Sequence, residues 1–398
     1  MTFSRRSLLA AGTSALFLSG VTLGCARRPA MLEIQNTAAG TLRDVTVPFD
    51  PKRLAVLDFS VMENLQAWGL TDRMVAAVSP TTLTWIKKPG DGVALVKSLK
   101  SAETAPVKAV NPDLIFISGR IALAYDAFNS VAATLVLVPD YKKGAWASFK
   151  ENITTLARIF GKENEAAAAV AGFQKRIDAI RAKAAGERIA VMMCVGGRAG
   201  LLPPEGRCSL LTEALGFTNV MPARTGAAPT KGAAPRKAPT AAEIAAGNAK
   251  TFAKLKETNP DRVFVLNKDL AVGAKEPKLL EAITAGQKDW AGTAAVKAGR
   301  VTELTGPAWY LGEGGVYSMD RMLTDVEKAL GLYFLSVRRS FRPVSVFPGT
   351  GLFFATVSRF AVSVTIKTSV PQTLGTSLLR HERQLPLTEV RGLATGLG

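Results

Sequence analysis

Short apolar runs bounded by turn residues recur along this chain, and stretches with helical spacing of apolar positions separate them. The apolar runs span residues 53–57, 74–78, 114–118 and 134–138 in the first half, and 188–195, 262–266 and 301–304 in the second. Strands that are apolar throughout and alternate with helices are typical of a parallel sheet covered on both faces. The pattern therefore predicts an α/β fold with two lobes, formed by residues 44–143 and 187–332.

Residues 144–186 lie between the two predicted lobes and contain no proline. Apolar side chains recur there at helical spacing, and the strong helix formers Ala, Glu and Lys fill many other positions. Gly161 marks a joint within the segment. We expect a rigid helical link, which bends little and allows only a small closure of the lobes.

A repeated tripeptide indicates that the two lobes share a design. Asn111-Pro112-Asp113 precedes the strand of residues 114–118, and Asn259-Pro260-Asp261 precedes the strand of residues 262–266. Asn, Pro and Asp favour turns, so each copy predicts a turn that leads into a buried strand.

Both termini depart from this pattern. Residues 1–25 have a twin-arginine signature at Arg5-Arg6 and an apolar run too short for a membrane span, which together predict an export signal. They end in Leu23-Gly24-Cys25, which resembles a lipobox and predicts a lipid anchor at Cys25. Residues 333–398 form an atypical basic tail that we expect to be disordered, and the Ala-, Pro-, Gly- and Lys-rich residues 223–246 predict a flexible loop.

The composition narrows the classes of function. A net charge of +18 suits nucleic acid, an anionic membrane surface or an anionic small ligand. Nucleic acid is not expected, because no RNP, zinc-finger or basic-zipper pattern occurs. The single histidine, His381, and three cysteines without a CxxC pattern disfavour a catalytic triad or a clustered metal site. Export would permit a disulfide between Cys194 and Cys208, but their separation is open at this point.

Six stretches carry a resemblance to a known family. In chain order they are PKRLAVLDF, VNPDLIFISGR, NITTLARIFGKENEA, EGRCSLLTEALGF, NPDRVFVLNKDLAVG and WAGTAAVKAGRVTELTGPAWYLGEGGVYSM. On these, residues 44–332 resemble periplasmic iron-siderophore-binding proteins, the substrate-binding subunits of ABC importers. The resemblance is to the helix-linked, class III type, near the catecholate and petrobactin binders. It implies two Rossmann-like lobes joined by a long rigid helix, with the ligand in the cleft between them.

The resemblance also implies a function and a location. The expected protein is a periplasmic monomer without enzymatic activity or a resident cofactor. It would bind an iron(III)-siderophore complex and deliver it to an ABC permease in the inner membrane.

A ferric catecholate complex is bulky, aromatic and negatively charged, so its site needs cations and an aromatic wall. Arginine suits this task because its planar fork binds oxygen atoms in pairs. The matching positions, which we predict to bind the ligand, are Arg120, Arg207, Lys268, Tyr310 and Arg198. Trp309 belongs to the same predicted site, and we expect it to form part of its wall or of the core rather than a direct contact. Some relatives have an iron-reaching histidine in the loop that corresponds to residues 223–246, and this chain has none there. No protein ligand to iron is therefore expected.

The family uses one acidic residue on each lobe to meet arginines of the permease. Glu213 matches the position on the second lobe, and Glu63 or Glu103 is the candidate on the first.

Other functions remain open from the sequence. The same fold could bind haem or cobalamin, although Arg120, Arg207 and Lys268 favour an anionic ligand with spread charge. A metal or redox enzyme with a related two-lobed fold is a further alternative. A dinucleotide enzyme is disfavoured because no GxGxxG follows the first strand. The chain would be an inactive product if the tail and the residues 223–246 disturbed the second lobe.

Overall fold

A computed structural model of the protein describes residues 30–80, 82–97, 102–224 and 238–332. The predicted export signal with Cys25, the tail of residues 333–398 and the middle of the predicted flexible loop lie outside these residues. Across the described ranges, no helix combines the length and the apolar character that crossing a membrane requires.

The N-terminal lobe is preceded by an antiparallel hairpin. The hairpin consists of β1 (Met31–Ala38) and β2 (Thr41–Pro48). The strands of the lobe are β3 (Leu54–Leu57), β4 (Met74–Val78), β5 (Ala94–Val96), β6 (Leu114–Ile117) and β7 (Thr134–Leu135). Its helices are α1 (Phe59–Ala67), α2 (Ala105–Ala109) and α3 (Tyr125–Asn129). The five strands of the lobe pair in parallel in the order β5-β4-β3-β6-β7.

Both faces of this sheet are buried, as the uniformly apolar strands predict. Leu54 and Val56 pack on the face covered by α1, while Ala55 and Leu57 pack on the face covered by α2 and α3. All four side chains are at most 1% exposed. The alternation follows from the two-residue period of a β-strand.

The linking segment forms two helices, α4 (Ala145–Phe160) and α5 (Glu163–Ala184), rather than one uninterrupted helix. Gly161 ends α4 in the left-handed region with φ 64°, a conformation that glycine adopts without steric cost. Phe149 and Phe173 then meet with ring centroids 5.8 Å apart, so the two helices lie side by side. Phe160 is buried in the N-terminal core and Ile177 in the C-terminal core. Each lobe therefore holds a different part of the link.

The C-terminal lobe repeats the plan with a second sheet. Its strands are β8 (Arg188–Val195), β9 (Arg198–Leu202), β10 (Thr218–Asn219), β11 (Arg262–Asn267) and β12 (Val301–Glu303). Its helices are α6 (Leu210–Glu213), α7 (Ala241–Thr258), α8 (Lys268–Ala271), α9 (Leu280–Thr284), α10 (Lys288–Gly292), α11 (Ala294–Lys297), α12 (Gly306–Tyr310) and α13 (Val316–Ala329). The parallel order is β10-β8-β11-β12, and β9 pairs antiparallel with β8.

One sequence-based expectation is wrong in this lobe. Residues 241–246, expected to belong to a flexible loop, are the first turns of α7. Thr240 caps this helix through a hydrogen bond from Glu243 N, and the Glu243 carboxylate accepts from Thr240 N in return. This capping box is a local signal for the start of a helix, and it outweighs the loop-like composition before it.

The repeated Asn-Pro-Asp turns perform the same task in both lobes. Asp113 Oδ2 accepts a 2.9 Å hydrogen bond from Arg53 N, and Asp261 Oδ2 accepts one of the same length from Arg188 N. Each arginine in turn donates to backbone carbonyls just before its Asn-Pro-Asp turn or at that turn's asparagine. Each turn therefore fixes the start of two neighbouring strands, in support of the related design that the sequence predicts.

Candidate functional site

The C-terminal ends of the parallel strands carry the polar side chains of the candidate site. Arg120 follows β6 after Ser118 and Gly119, and its side chain is exposed. Asp58 follows β3, the neighbouring strand, and caps the N-terminus of α1 by accepting from Ser60 N and Val61 N. Ligands of open α/β sheets bind outside these strand ends.

Arg207 reaches the same region from the C-terminal lobe. It lies in a tight turn before α6, between Gly206 and Cys208, both of which have positive φ (80° and 66°). A side chain at Cys208 is strained in that conformation, so the turn geometry is one that the surrounding structure must enforce.

Arg120 and Arg207 converge on Tyr310 at the end of α12. Arg120 Nη2 donates to the Tyr310 carbonyl oxygen over 2.9 Å, and Arg207 Nη1 donates to the same oxygen over 3.3 Å. The Arg207 guanidinium lies 4.1 Å from the Tyr310 ring centroid and the Arg120 guanidinium 5.5 Å from it. Both distances are within the range of a cation–π interaction. Two cations from two lobes thus share one aromatic residue.

The two arginines keep an uncompensated positive charge. Within the described ranges, neither forms an ion pair with a carboxylate within 4.0 Å. Two acids, buried Asp58 and half-buried Glu313, lie close enough for their titration to respond to these charges. Burial raises the pKa of Asp58 against the opposing charge of Arg120, and it raises the pKa of Glu313 against that of Arg207. Burial thus favours the neutral forms of Asp58 and Glu313 next to the two cations.

Sequence reasoning missed three residues of this region. Besides Asp58, they are Glu313, which lies between α12 and α13, and Tyr141, whose hydroxyl donates to Glu313 Oε2 over 2.5 Å. The second carboxylate oxygen of Glu313 is buried and has no hydrogen-bond partner in the described chain. The position of Asp58, directly after a buried strand, is a signal that could have identified it.

Lys268 and Arg198 lie farther along the same edge of the C-terminal sheet. Lys268 is half-buried and begins α8 directly after β11, and Arg198 is exposed at the start of β9. The turn before Arg198 is joined to α8, because Asp269 Oδ2 accepts a 2.6 Å hydrogen bond from Gly196 N. Neither cationic side chain has a hydrogen bond or ion pair with another described residue. Their role in ligand binding stays a prediction.

Trp309 is a core residue, which is one of the two placements, wall or core, that the sequence favours for it. Its side chain is 1% exposed, and its Nε1 donates to Asp325 Oδ2 over 3.0 Å within the core. Only its backbone faces the site, where the carbonyl oxygen accepts from Arg207 over 3.1 Å. Tyr310, its neighbour, is half-buried and presents its ring to the cations. On the short helix α12, adjacent residues point in different directions.

The three acids predicted to dock a permease have different environments. Glu63 is 0% exposed, so the prediction that it meets a permease is wrong: a buried carboxylate cannot contact another protein. Glu103 is exposed and has no hydrogen bond or ion pair with another described residue. Glu213 is exposed as well, and one of its oxygens accepts a 2.6 Å hydrogen bond from Trp146 N at the start of α4. Docking by Glu103 and Glu213 stays a prediction.

Cys194 and Cys208 are buried free thiols, so the disulfide that export would permit is not formed. Burial raises the pKa of Cys194 to about 12. In the part of the chain that the structure describes, no three His, Cys, Asp or Glu side chains are grouped to hold a metal ion.

The chain is similar to known proteins over the region that forms the two lobes. The sequence pattern of a family described as "Periplasmic binding protein" matches residues 54–308. The petrobactin-binding protein YclQ of Bacillus subtilis is 29% identical over 288 residues, which are 71% of this chain and 84% of YclQ. The ferric-anguibactin-binding protein FatB of Vibrio anguillarum is 23% identical over 284 residues, 70% of this chain and 82% of FatB.

Solved structures share the fold. The crystal structure of YclQ aligns with a TM-score of 0.63 at 26% identity, covering 75% of this chain and 98% of YclQ. The catecholate-siderophore-binding protein VctP of Vibrio cholerae aligns with a TM-score of 0.62 at 21% identity, covering 75% of this chain and 99% of VctP. The predicted fold class, two α/β lobes of the class III type, is confirmed.

Proposed function

The chain belongs to the periplasmic binding protein family, and from this premise we propose that it binds a ferric siderophore and delivers it to an ABC importer. The siderophore class that fits best is an anionic catecholate. In this proposal the protein is a binding protein without enzymatic activity or a resident cofactor, and the iron(III)-siderophore complex is its cargo.

The observation that carries the proposal is the convergence of Arg120 and Arg207 on Tyr310. The two guanidinium groups belong to different lobes, so a ligand that contacts both of them lies between the lobes. Each arginine uses only one of its terminal nitrogens for the Tyr310 carbonyl oxygen, which leaves further N–H donors for a ligand.

The chemistry of this group suits a catecholate complex of iron(III). Such a complex spreads its negative charge over several oxygen atoms, and a guanidinium group binds oxygen atoms in pairs. Its aromatic rings can pack against the ring of Tyr310, which already lies 4.1 Å from one cation. Charge and shape therefore favour an anionic, aromatic ligand over a neutral one.

The relatives support the same class of ligand. YclQ is named as a petrobactin-binding protein and FatB as a ferric-anguibactin-binding protein, and both align with more than two thirds of this chain. Delivery to an importer would use an exposed acid on each lobe, Glu103 and Glu213. A periplasmic location, a monomeric state and a lipid anchor at Cys25 complete the proposal and rest on the sequence.

A fluorescence titration of the full chain tests the proposal. Trp85 and Trp309 lie near the region between the lobes, so a bound ferric complex should quench their emission. The probes are the ferric complexes of enterobactin, petrobactin and a trihydroxamate, with haem and cobalamin as comparisons. We expect saturable quenching by the catecholate-containing complexes. Tight binding of haem or cobalamin alone would overturn the ligand class, and no binding of any probe would overturn the function.

A further inference from the structure

The segment of residues 311–315 directly follows Tyr310 and leads into α13. Although it belongs to the C-terminal lobe, its polar contacts include side chains of α1, a helix of the N-terminal lobe. The position of Tyr310 between Arg120 and Arg207 therefore depends on how this segment is held.

Glu63 of α1 binds the first turn of α13. Its Oε2 accepts from Ser318 N over 2.7 Å, and its Oε1 accepts from Ser318 Oγ over 2.6 Å and from Trp85 Nε1 over 2.7 Å. The N-cap residue of α13, Gly315, has no side chain that could accept from the free amides of the first turn. Glu63 supplies this cap from the other lobe, where a carboxylate is also favoured by the helix dipole.

Asn64, the next residue of α1, binds the same segment. Its Oδ1 accepts from Val316 N over 3.0 Å, and its Nδ2 donates to the Gly314 carbonyl oxygen over 3.3 Å. Asn64 is 4% exposed, so both of these hydrogen bonds are shielded from water. Two consecutive residues of one lobe thus bind the backbone of three residues of the other lobe.

The glycines of the segment make room for this contact. A Cβ atom at Gly312 would lie 2.8 Å from Glu63 Oε1, and a Cβ atom at Gly315 would overlap with Glu63 Oε2. Real Cβ atoms do not approach other atoms so closely, so a larger residue at either position would displace the carboxylate. The backbone of residues 312–315 fits closely around the Glu63 side chain.

We propose that Glu63 and Asn64 are positioning residues for the ligand site, holding the segment 311–315 so that Tyr310 stays between Arg120 and Arg207. This inference rests on the proposed function for its effect on ligand binding. The contact itself can be measured without any ligand. Glu63 thereby has a role different from the permease docking that the sequence suggested.

The test compares Glu63→Gln and Asn64→Ala with the unchanged full chain. Glu63→Gln keeps the shape of the side chain but places an amide donor against Ser318 N or against the two donors at Oε1. Hydrogen–deuterium exchange without ligand, measured at pH 8 where Glu63 is mostly ionised, should become faster in residues 311–318 in both variants. The Kd for ferric enterobactin should rise about five-fold or more, the effect of losing roughly 1 kcal/mol of hydrogen bonding.

Phe252→Leu is the matched control, because Phe252 is buried on the face of the C-terminal sheet that lies opposite to α12 and α13. It should lower the melting temperature and leave the Kd unchanged, which separates positioning from a general loss of stability. If Glu63→Gln fails to fold, Asn64→Ala and Ser318→Ala carry the test.

Unchanged exchange in residues 311–318 would overturn the contact. Faster exchange with an unchanged Kd would overturn the positioning role. If the unchanged chain itself bound no ferric probe, the proposed function would fail and the ligand role with it, while the exchange result would still decide the contact between the lobes.

Discussion

Arg120 and Tyr310 belong to different lobes and are joined by a 2.9 Å hydrogen bond from Arg120 Nη2 to the Tyr310 carbonyl oxygen. The bond joins the two sides of the cleft directly. Arg176 of α5 also binds Glu327 of α13, through Nε over 2.6 Å and Nη2 over 2.8 Å, which fixes the link to the C-terminal lobe. We therefore expect a largely preformed site, with a small loss of conformational entropy on binding.

The two arginines should contribute separately to affinity. Arg120→Ala and Arg207→Ala should each weaken the binding of ferric enterobactin by more than about 1 kcal/mol, the value expected for a charge-assisted hydrogen bond. The affinity of Arg120→Lys should lie between that of the unchanged chain and that of Arg120→Ala, because lysine keeps the charge but not the planar fork. Arg300→Ala is the control, since Arg300 is exposed and directly precedes β12, at the end of that strand away from the candidate site. Unchanged affinity in both alanine variants, measured by fluorescence quenching, would remove this site assignment.

Two adjacent aromatic residues should respond in opposite ways. Trp309→Ala should reduce the free energy of unfolding by about 3–5 kcal/mol, because it removes a fully buried ring and its hydrogen bond to Asp325. Tyr310→Ala should weaken ligand binding while leaving most of the stability, because its ring is half-buried and lies against the cations. Urea denaturation and ligand titration of both variants make the comparison. Equal losses of stability would contradict the different placement of the two side chains.

The sequence was most informative where local chemistry determines structure. The apolar run of residues 188–195 is β8 without a change of bounds, and both Asn-Pro-Asp turns start buried strands. Arg120 could be located in the cleft because it follows a recognisable strand. In each case the residues that decide the outcome lie within a few positions of one another.

Tertiary contacts decided what the sequence could not reveal. Glu63 lies on a short helix with the pattern of an ordinary surface acid, and its burial depends on Ser318, 255 residues later in the chain. Whether Trp309 lines the site or belongs to the core depends on how α12 is rotated against α13, which no local pattern specifies. The start of α7 is different, because its capping box at Thr240 and Glu243 is a local signal that lies beside a stretch with the composition of a loop.

Lys268 and Arg198 should act through long-range charge. Neither has a hydrogen bond or ion pair with another described residue, and Arg198 is exposed, so salt should screen their effect strongly. Lys268→Ala and Arg198→Ala should each raise the Kd for ferric enterobactin at about 0.01 M salt, where the Debye length is about 30 Å. At about 1 M salt, where it is about 3 Å, the variants should approach the unchanged protein. A loss of affinity that salt does not alter would instead indicate a direct, buried contact.

The stability of the protein should depend on pH through Glu63. Burial raises the pKa of Glu63 to about 7 from an ordinary value of 4.5, against hydrogen bonds from Ser318 and Trp85 and the charge of Arg321. The folded state therefore binds the proton of the Glu63 carboxyl group more tightly than the unfolded state does. The resulting stabilisation is complete below about pH 4.5 and is lost as the pH rises through 7. This contribution to the free energy of unfolding is on the order of 3 kcal/mol.

Glu63→Gln cannot titrate, so the difference in unfolding free energy between it and the unchanged chain should itself vary across this range. Burial raises the pKa of Tyr317, which faces Glu63 from α13, above its ordinary value of 10.0, so its hydroxyl stays protonated across this range. A difference that stays constant from pH 4 to pH 8, measured by urea denaturation, would rule out the elevated pKa.

Docking to a permease should depend on acids that remain exposed, Glu103 on the N-terminal lobe and Glu213 on the C-terminal lobe. Charge reversal by Glu103→Lys or Glu213→Lys should reduce iron uptake by cells that produce the protein, because cationic partner residues would then be repelled. The Kd for ferric enterobactin should change little.

Glu213 also accepts a hydrogen bond from Trp146 N at the start of α4, so its loss carries a cost of about 1 kcal/mol in stability as well. Glu213→Gln separates the two roles: it keeps an oxygen acceptor for the helix but removes the charge. Uptake that falls with Glu213→Gln while the melting temperature is kept would assign this acid to docking. Unchanged uptake in both charge-reversal variants would rule out docking and leave Glu213 as a helix cap only.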